Sequence, residues 1–187
     1  MANLLKMIPH ILTWEVGLRQ SEINLSPEKM FESVRSRGFH NIPGDRGGYT
    51  CCGVTFSTFK SYRPEASLKD LRLLQFEQWI EILRSMFWNP CKADQISNQS
   101  VAQMLVDWRW VNGSQAVRDA QVVLGLVPDG IVGPKTLAAL NGPDSRSVFL
   151  RLKNARIRAY NRIVERSPSQ KKFLNGWLNR TNSISYE

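Results

Sequence analysis

Apolar positions recur at three- and four-residue spacing along most of the chain, the period of helices that bury one face. Ile8, Ile11 and Leu12 form the first such stripe, and Pro9 suits an opening turn, so a helix is predicted over 9–18. Ser26-Pro27 pairs an N-cap with a first helical position, and Gly38 supplies the stop of a second helix. Thr55 opens a short helix that Arg63-Pro64 ends. Ser67 caps a long one over 68–88, with Leu71, Leu74, Gln78, Ile82 and Met86 at helical spacing and Asn89-Pro90 as terminator. A further helix starts at 97 or 100 and runs to 111, with Val101, Leu105 and Trp108 on one face and Asn112-Gly113 as its stop. Beyond 114 the elements shorten: a helix over 115–124, a turn at Pro128-Asp129-Gly130, and a helix from Pro134 to Asn141-Gly142. Val148, Leu152, Ala155, Ala159 and Ile163 then stripe a long helix whose other positions carry Arg151, Lys153, Arg156, Arg158, Arg162 and Arg166, read as a solvated face. Trp177 is the expected anchor of the C-terminal segment.

One stretch breaks the helical period. Gly44-Asp45-Arg46-Gly47-Gly48-Tyr49-Thr50-Cys51-Cys52-Gly53-Val54-Thr55 reads as a β-hairpin tip, with Gly47-Gly48 as the turn and Tyr49, Val54 and Phe56 in short strands. Gly47, Gly48 and Gly53 permit positive φ or close backbone approach, while Asp45, Thr50 and Thr55 place oxygens among them. Upstream, Glu15 continues the stripe of Ile8, Ile11 and Leu12, so it is expected to be buried. Desolvation disfavours a charged carboxylate, which prepares an acid for proton donation. The structural alternative for Glu15 is a helix-end residue that turns to solvent or pairs with Arg19 four residues on.

A Glu-x-Gly-type helix end followed by Asp-x-Gly-Gly-x-Thr-x-x-Gly-Val-Thr resembles the N-terminal motif of glycoside hydrolase family 108, the lysozyme-like N-acetylmuramidases often labelled secretion activator proteins. Phe87-Trp88, Asp107 with Asn112-Gly113, the run from Asp129 to Leu137, and Gly176-Trp177-Leu178-Asn179-Arg180 extend the resemblance in order along the chain. The family's Glu-Gly-Gly-Tyr stands here as Glu15-Val16-Gly17-Leu18, Arg46 replaces a proline, and residues 21–43 intervene between acid and turn as an insertion. That insertion is either a flap over the cleft or a surface elaboration. The resemblance implies a mainly α fold: a lysozyme-like helical domain over 1–113 with a small β-hairpin at the active site, and a helical peptidoglycan-binding-like part over 114–187 packed on it as one unit.

On the same resemblance Glu15 is the catalytic acid. A weaker similarity to phage-type lysozymes, whose sites combine Glu, Asp and Thr, implies comparable roles for Asp45 and Thr50. Glu22, Glu28 and Glu32 of the insertion are rival carboxylate partners. Tyr49, Trp88, Asp107 and Asn112 are the candidate substrate-binding residues. For Trp88 core packing is the simpler alternative, since an aromatic face suits a sugar ring and a core equally well. Asp107 is read first as a structural acid near Arg109.

Composition narrows the partners. Lys and Arg total 25 against 16 Asp and Glu, a net charge of +9 that favours a polyanion, either the bacterial wall with its peptide carboxylates or nucleic acid. No helix-turn-helix, zinc-finger or RNA-recognition pattern supports specific nucleic-acid binding. No apolar run approaches the roughly 20 residues of a membrane span. Pro9 and His10 interrupt the N-terminal stretch, so it does not read as a signal peptide. A chain made in the cytoplasm on these terms reaches the wall or periplasm through an export system or a phage holin. The three cysteines, two of them adjacent, are expected to be reduced and buried, and neither a metal nor another cofactor is predicted. Besides a muramidase, two functions fit the sequence: a wall-binding or secretion-associated protein without turnover, and a basic nucleic-acid binder.

Overall fold

A computed structural model describes residues 1–41 and 48–187. The chain divides into two compact units, Leu4–Met86 and Phe87–Glu187 with Met1–Asn3.

In the first unit, a 3-10 turn at Leu4–Met7 leads into α1 (Ile8–Val16), with Pro9 in its first turn. The helix ends at a left-handed glycine. Gly17 adopts φ 65°, its N–H bonds to the Thr13 carbonyl at 3.0 Å, and the Leu18 N–H reaches back to the Leu12 carbonyl at 3.3 Å. The Gly17 bond is the single five-residue bond of an αL cap, and Leu18 beyond it is buried. The insertion forms α2 (Pro27–Gly38), capped by Ser26 as predicted. It is more than a surface elaboration, because Met30, Phe31 and Val34 are buried and the helix packs on α1. Arg37 on α2 donates to the Val16 carbonyl at 3.4 Å and to the Glu22 carboxylate at 2.7 Å, so α2 clasps the end of α1. That ion pair holds the Glu22 carboxyl below its usual range.

Strands β1 (Phe39–Asn41), β2 (Tyr49–Cys51) and β3 (Val54–Thr55) form an antiparallel sheet in that order. The tight turn is Cys52-Gly53, where both residues have positive φ, 49° and 80°. Two consecutive positive φ angles are the type I′ pattern, whose twist matches a right-twisted hairpin. The predicted turn at Gly47-Gly48 lies elsewhere in the chain, in the β1–β2 connection, where Gly47 is outside the described residues. Phe56 is likewise not in a strand; it opens α3 (Phe56–Tyr62), with Thr55 as N-cap accepting from the Thr58 N–H at 3.1 Å.

The helix predicted over 68–88 is broken. α4 (Leu68–Arg72) starts in a capping box between Ser67 and Asp70, and α5 (Phe76–Ile82) starts in a second one between Gln75 and Gln78. The Gln78 side chain accepts from the Gln75 N–H at 3.2 Å, so this residue serves a cap rather than an apolar face. Residues Leu83–Trp88 continue as a π-helical turn. Trp79 on α5 is fully buried, packs on Phe31 at 5.4 Å between ring centroids, and donates from its indole N–H to the Cys52 carbonyl at 3.0 Å. Trp79→Phe keeps the packing and leaves that carbonyl without its donor. A loss of about 1–3 kcal/mol in urea unfolding is expected.

In the second unit, α6 (Gln99–Asn112) is capped by Asn98 and packs on α7 (Ser114–Val123) and α9 (Ser145–Arg166). α8 (Pro134–Leu140) lies between α7 and α9 in sequence, and α10 (Lys171–Asn182) returns along α9. The Gln121 amide is the hub of the turn between α7 and α8. It donates to Asp129, the Ile131 carbonyl and Thr136 and accepts from the Gly130 N–H at 2.8 Å. Trp177 anchors α10 through rings at 5.1 Å from Tyr160 and 6.0 Å from Phe173. No helix among the described residues is long and apolar enough to cross a membrane.

Candidate active site

Glu15 occupies the last turn of α1, two residues before the left-handed Gly17. It is half-buried rather than buried, because the helix stops at Val16 and its final turn is covered on one side. What covers it is the hairpin. A Cβ added to Gly53 would lie 2.6 Å from the Cδ and Cγ of Glu15 and 2.8 Å from Oε2, so only glycine lets the turn backbone rest on the carboxyl group. Sequence alone sets the acid near the loop; the structure supplies the contact and names its glycine.

The turn is held from three directions. Cys52 donates its N–H to the Gly38 carbonyl at 3.1 Å, its own carbonyl accepts from Trp79, and Gly53 lies on Glu15. Gly38 is itself a close-approach glycine. A Cβ there would meet Cys52 Sγ at 2.7 Å and Val16 Cγ1 at 2.9 Å. Val16 thus packs close against Gly38.

Strand register sorts the hairpin's side chains. His40 pairs with Thr50, and Thr50 with Thr55, so these three share one face of the sheet and all are half-buried. Phe39, Cys51 and Val54 share the other face, with Tyr49 two residues along from Cys51. Thr50 is therefore presented on a polar row, three residues from the glycine that touches Glu15. The strand that carries His40 escaped the sequence reading because three residues after a helix stop carry too little alternation to see. Asp45 lies outside the described residues.

Cys51, Cys52 and Cys91 are free and buried. The Cys52 thiol is pushed up by its hydrogen bond with Cys51 and by burial, with the charges of Cys51 and Glu15 adding. Burial pushes Cys91 up to about 12. The Cys52 and Cys91 thiols, held protonated in this way, are poor nucleophiles and poor metal ligands, whereas the hydrogen bond with Cys52 lowers the Cys51 thiol. Among the described residues no group of His, Cys, Asp and Glu could hold a metal ion.

The remaining candidates lie in the second unit, and the structure gives each a place. Trp88 is fully buried and donates to Asp94 at 2.8 Å, so its ring is core and offers no face to a sugar. Asp107 is also fully buried. Its carboxylate pairs with Arg156 at 2.8 Å and with Arg180 at 2.8 Å, the latter through both Nε and Nη2. Arg156, read from sequence as part of a solvated face, is fully buried and donates through Nε to the Tyr160 hydroxyl at 2.9 Å. Burial in turn pushes the Tyr160 phenol up. Asp107 and Arg180, which sit in two separate stretches of the family resemblance, are thus one structural ion pair. Asn112 closes α6 and lines a cleft of about 320 Å³ with Gln115, Asp119, Arg162 and Arg166. A larger hollow of about 440 Å³ opens beside Asp129, Ile131 and Lys135.

An acid at a helix end thus rests on a small antiparallel hairpin within a helical scaffold. Residues 35–113 match the family described as glycosyl hydrolase 108, and residues 115–182 match a predicted peptidoglycan domain. The chain therefore joins a glycosyl hydrolase 108 region to a peptidoglycan domain, and peptidoglycan is the partner that this pairing supports. Glu15 lies ahead of the matched residues; the contact with Gly53 ties it to the matched hairpin. No curated protein matches the chain. The solved structure of Brucella abortus SagA is similar over 97% of this chain and 90% of that one, with a TM-score of 0.76 and 23% sequence identity.

Gly53→Ala tests the geometry without touching a polar group. The added methyl must displace the Glu15 carboxyl group or the turn, at a backbone φ of 80° that alanine resists. A displacement on the order of 1 Å at the reacting group corresponds to about 10²-fold in kcat. Hydrolysis of peptidoglycan is expected to fall by that factor, with circular dichroism unchanged.

Proposed function

We propose that the protein is an N-acetylmuramidase that hydrolyses the bond between N-acetylmuramic acid and N-acetylglucosamine in peptidoglycan. The observation that carries this reading is the seating of Glu15 on Gly53, which orients a carboxyl group at the hairpin of the glycosyl hydrolase 108 region. In this reaction Glu15 donates a proton to the leaving glycosidic oxygen. Thr50 and Asp45 hold a water on the opposite face of the sugar, and the water adds at the anomeric carbon as charge develops there. Attack by a held water inverts the anomeric centre.

The peptidoglycan domain over 115–182 keeps the enzyme on its insoluble substrate, and the net charge of +9 assists approach to an anionic wall. The protein acts on the wall or in the periplasm, reached through an export system or a holin. Purified sacculi incubated with the protein should release reducing ends. Mass analysis of borohydride-reduced products should place the new end on N-acetylmuramic acid. Sacculi that bind the protein without releasing reducing ends would favour the wall-binding alternative. New ends on N-acetylglucosamine would move the cleavage to the other glycosidic bond.

A further inference from the structure

The face of the hairpin opposite His40, Thr50 and Thr55 carries a feature that hydrolysis does not use. Phe39 on β1 and Tyr49 on β2 stack at 5.5 Å between centroids with ring planes 19° apart. Two shallow hollows of about 260 and 280 Å³ adjoin this stack and share Phe39 and Arg72. Arg35 and Leu73 line the first, and Leu68 and Lys69 the second. The surface is thus apolar at its centre, with Tyr49 39%, Leu68 38% and Leu73 52% exposed. Three cations stand round it, and among the described residues no acidic side chain lines either hollow. Arg72 lies 5.8 Å from the Phe39 centroid, and Arg35 reaches one acid, the exposed Glu32, at 3.4 Å.

Exposed aromatic and leucine side chains cost solvation unless a ligand covers them, and three cations around them select the charge of that ligand. A glycan stripped of its stem peptides keeps a single lactyl carboxylate on each N-acetylmuramic acid, so it offers the cations fewer anionic groups and relies more on the stack. A glycan strand that still bears its stem peptides offers both halves: apolar sugar faces for Phe39 and Tyr49, and peptide carboxylates for Arg35, Lys69 and Arg72. We propose that this surface is a second, non-catalytic binding site that recognises peptidoglycan through the carboxylates of its stem peptides. The assignment rests on the peptidoglycan reading above and adds to it a preference for peptide-bearing over denuded strands.

The test uses the full chain carrying Glu15→Gln, so that ligand is not consumed. Two probes are titrated by calorimetry: a muramyl oligosaccharide with tetrapeptide stems, and the same oligosaccharide after an amidase has removed them. The stem-bearing probe is expected to bind about tenfold more tightly, as two or three exposed ion contacts allow, and the gap should shrink as salt is added. Adding Lys69→Gln and Arg72→Gln, both on exposed side chains, should bring the stem-bearing probe down to the affinity of the bare one. Equal binding of the two probes by the Glu15→Gln protein would overturn the second site and leave the muramidase reading intact. Persistence of the gap in the triple variant would also overturn it. So would a triple variant that loses affinity only for vesicles of anionic lipid, which would assign the cations to a membrane surface. Failure to bind either probe would remove the peptidoglycan reading, and this site with it.

Discussion

Glu15→Gln is expected to lower the release of reducing ends from peptidoglycan by about 10²–10⁴-fold, the usual worth of a general acid. The glutamine side chain matches glutamate in size, so it can rest on Gly53 as the acid does, and the Gly17 cap and the Arg37 clasp on Val16 are unaltered. What it lacks is a proton to give to the leaving oxygen. Initial rates on purified sacculi and sedimentation of the protein with the same sacculi separate the two effects. Binding should stay at the wild-type level while turnover falls. A variant within a few-fold of wild type would take Glu15 out of the mechanism and leave the fold assignment untouched.

Asp107→Ala is expected to cost about 3–5 kcal/mol of stability, because it strands buried charge. Two guanidinium groups, of Arg156 and Arg180, converge on this one carboxylate, and both arginines are buried. Without it they lose the charge they share, in a place where Arg156 Nη2 already has no hydrogen-bond partner among the described residues. At about 2–4 °C per kcal/mol for a chain of this size, calorimetry should show the second unit melting on the order of 10 °C lower. Asp107→Asn keeps an acceptor and should lose less. Assayed well below its melting temperature, the asparagine variant should retain the wild-type KM for sacculi. A raised KM in a protein of wild-type stability would return Asp107 to substrate binding.

Much of the helical frame is legible in the sequence because its signals are local. Ser26-Pro27, Asn112-Gly113 and Pro134 each place a boundary by what their side chains or backbone can do, and the observed helices begin or end there. Glu15 is legible as a helix-borne acid beside a glycine loop. Its degree of burial is not, since periodicity gives a direction and says nothing of where the helix stops. The Cys52-Gly53 turn is hidden because Gly47-Gly48 is the stronger turn signal. Cysteine rarely adopts positive φ, and Cys52 does so only with Gly38 and Trp79 bonded to its backbone. The split between α4 and α5 is hidden for a related reason. Gln75 and Gln78 can cap as readily as they can occupy a helix, and burial of both Leu71 and Leu74 decides between these uses. Arg156 shows the limit of reading charge from a wheel: its position among arginines looks solvated until Asp107, far away in sequence, arrives to pair with it.

Val16, Gly38 and Cys52 occupy one shared volume behind the acid, as the close approaches at Gly38 record. Their sizes are therefore not free to drift separately over evolutionary time. A lineage that acquires a side chain at position 38 has to shrink both of its neighbours, and one with glycine at position 16, as in the related motif, has room to enlarge its partner residues. Substitutions at these three positions should appear together on a phylogenetic tree, in compensating pairs or triples, even though none of the three takes part in the chemistry.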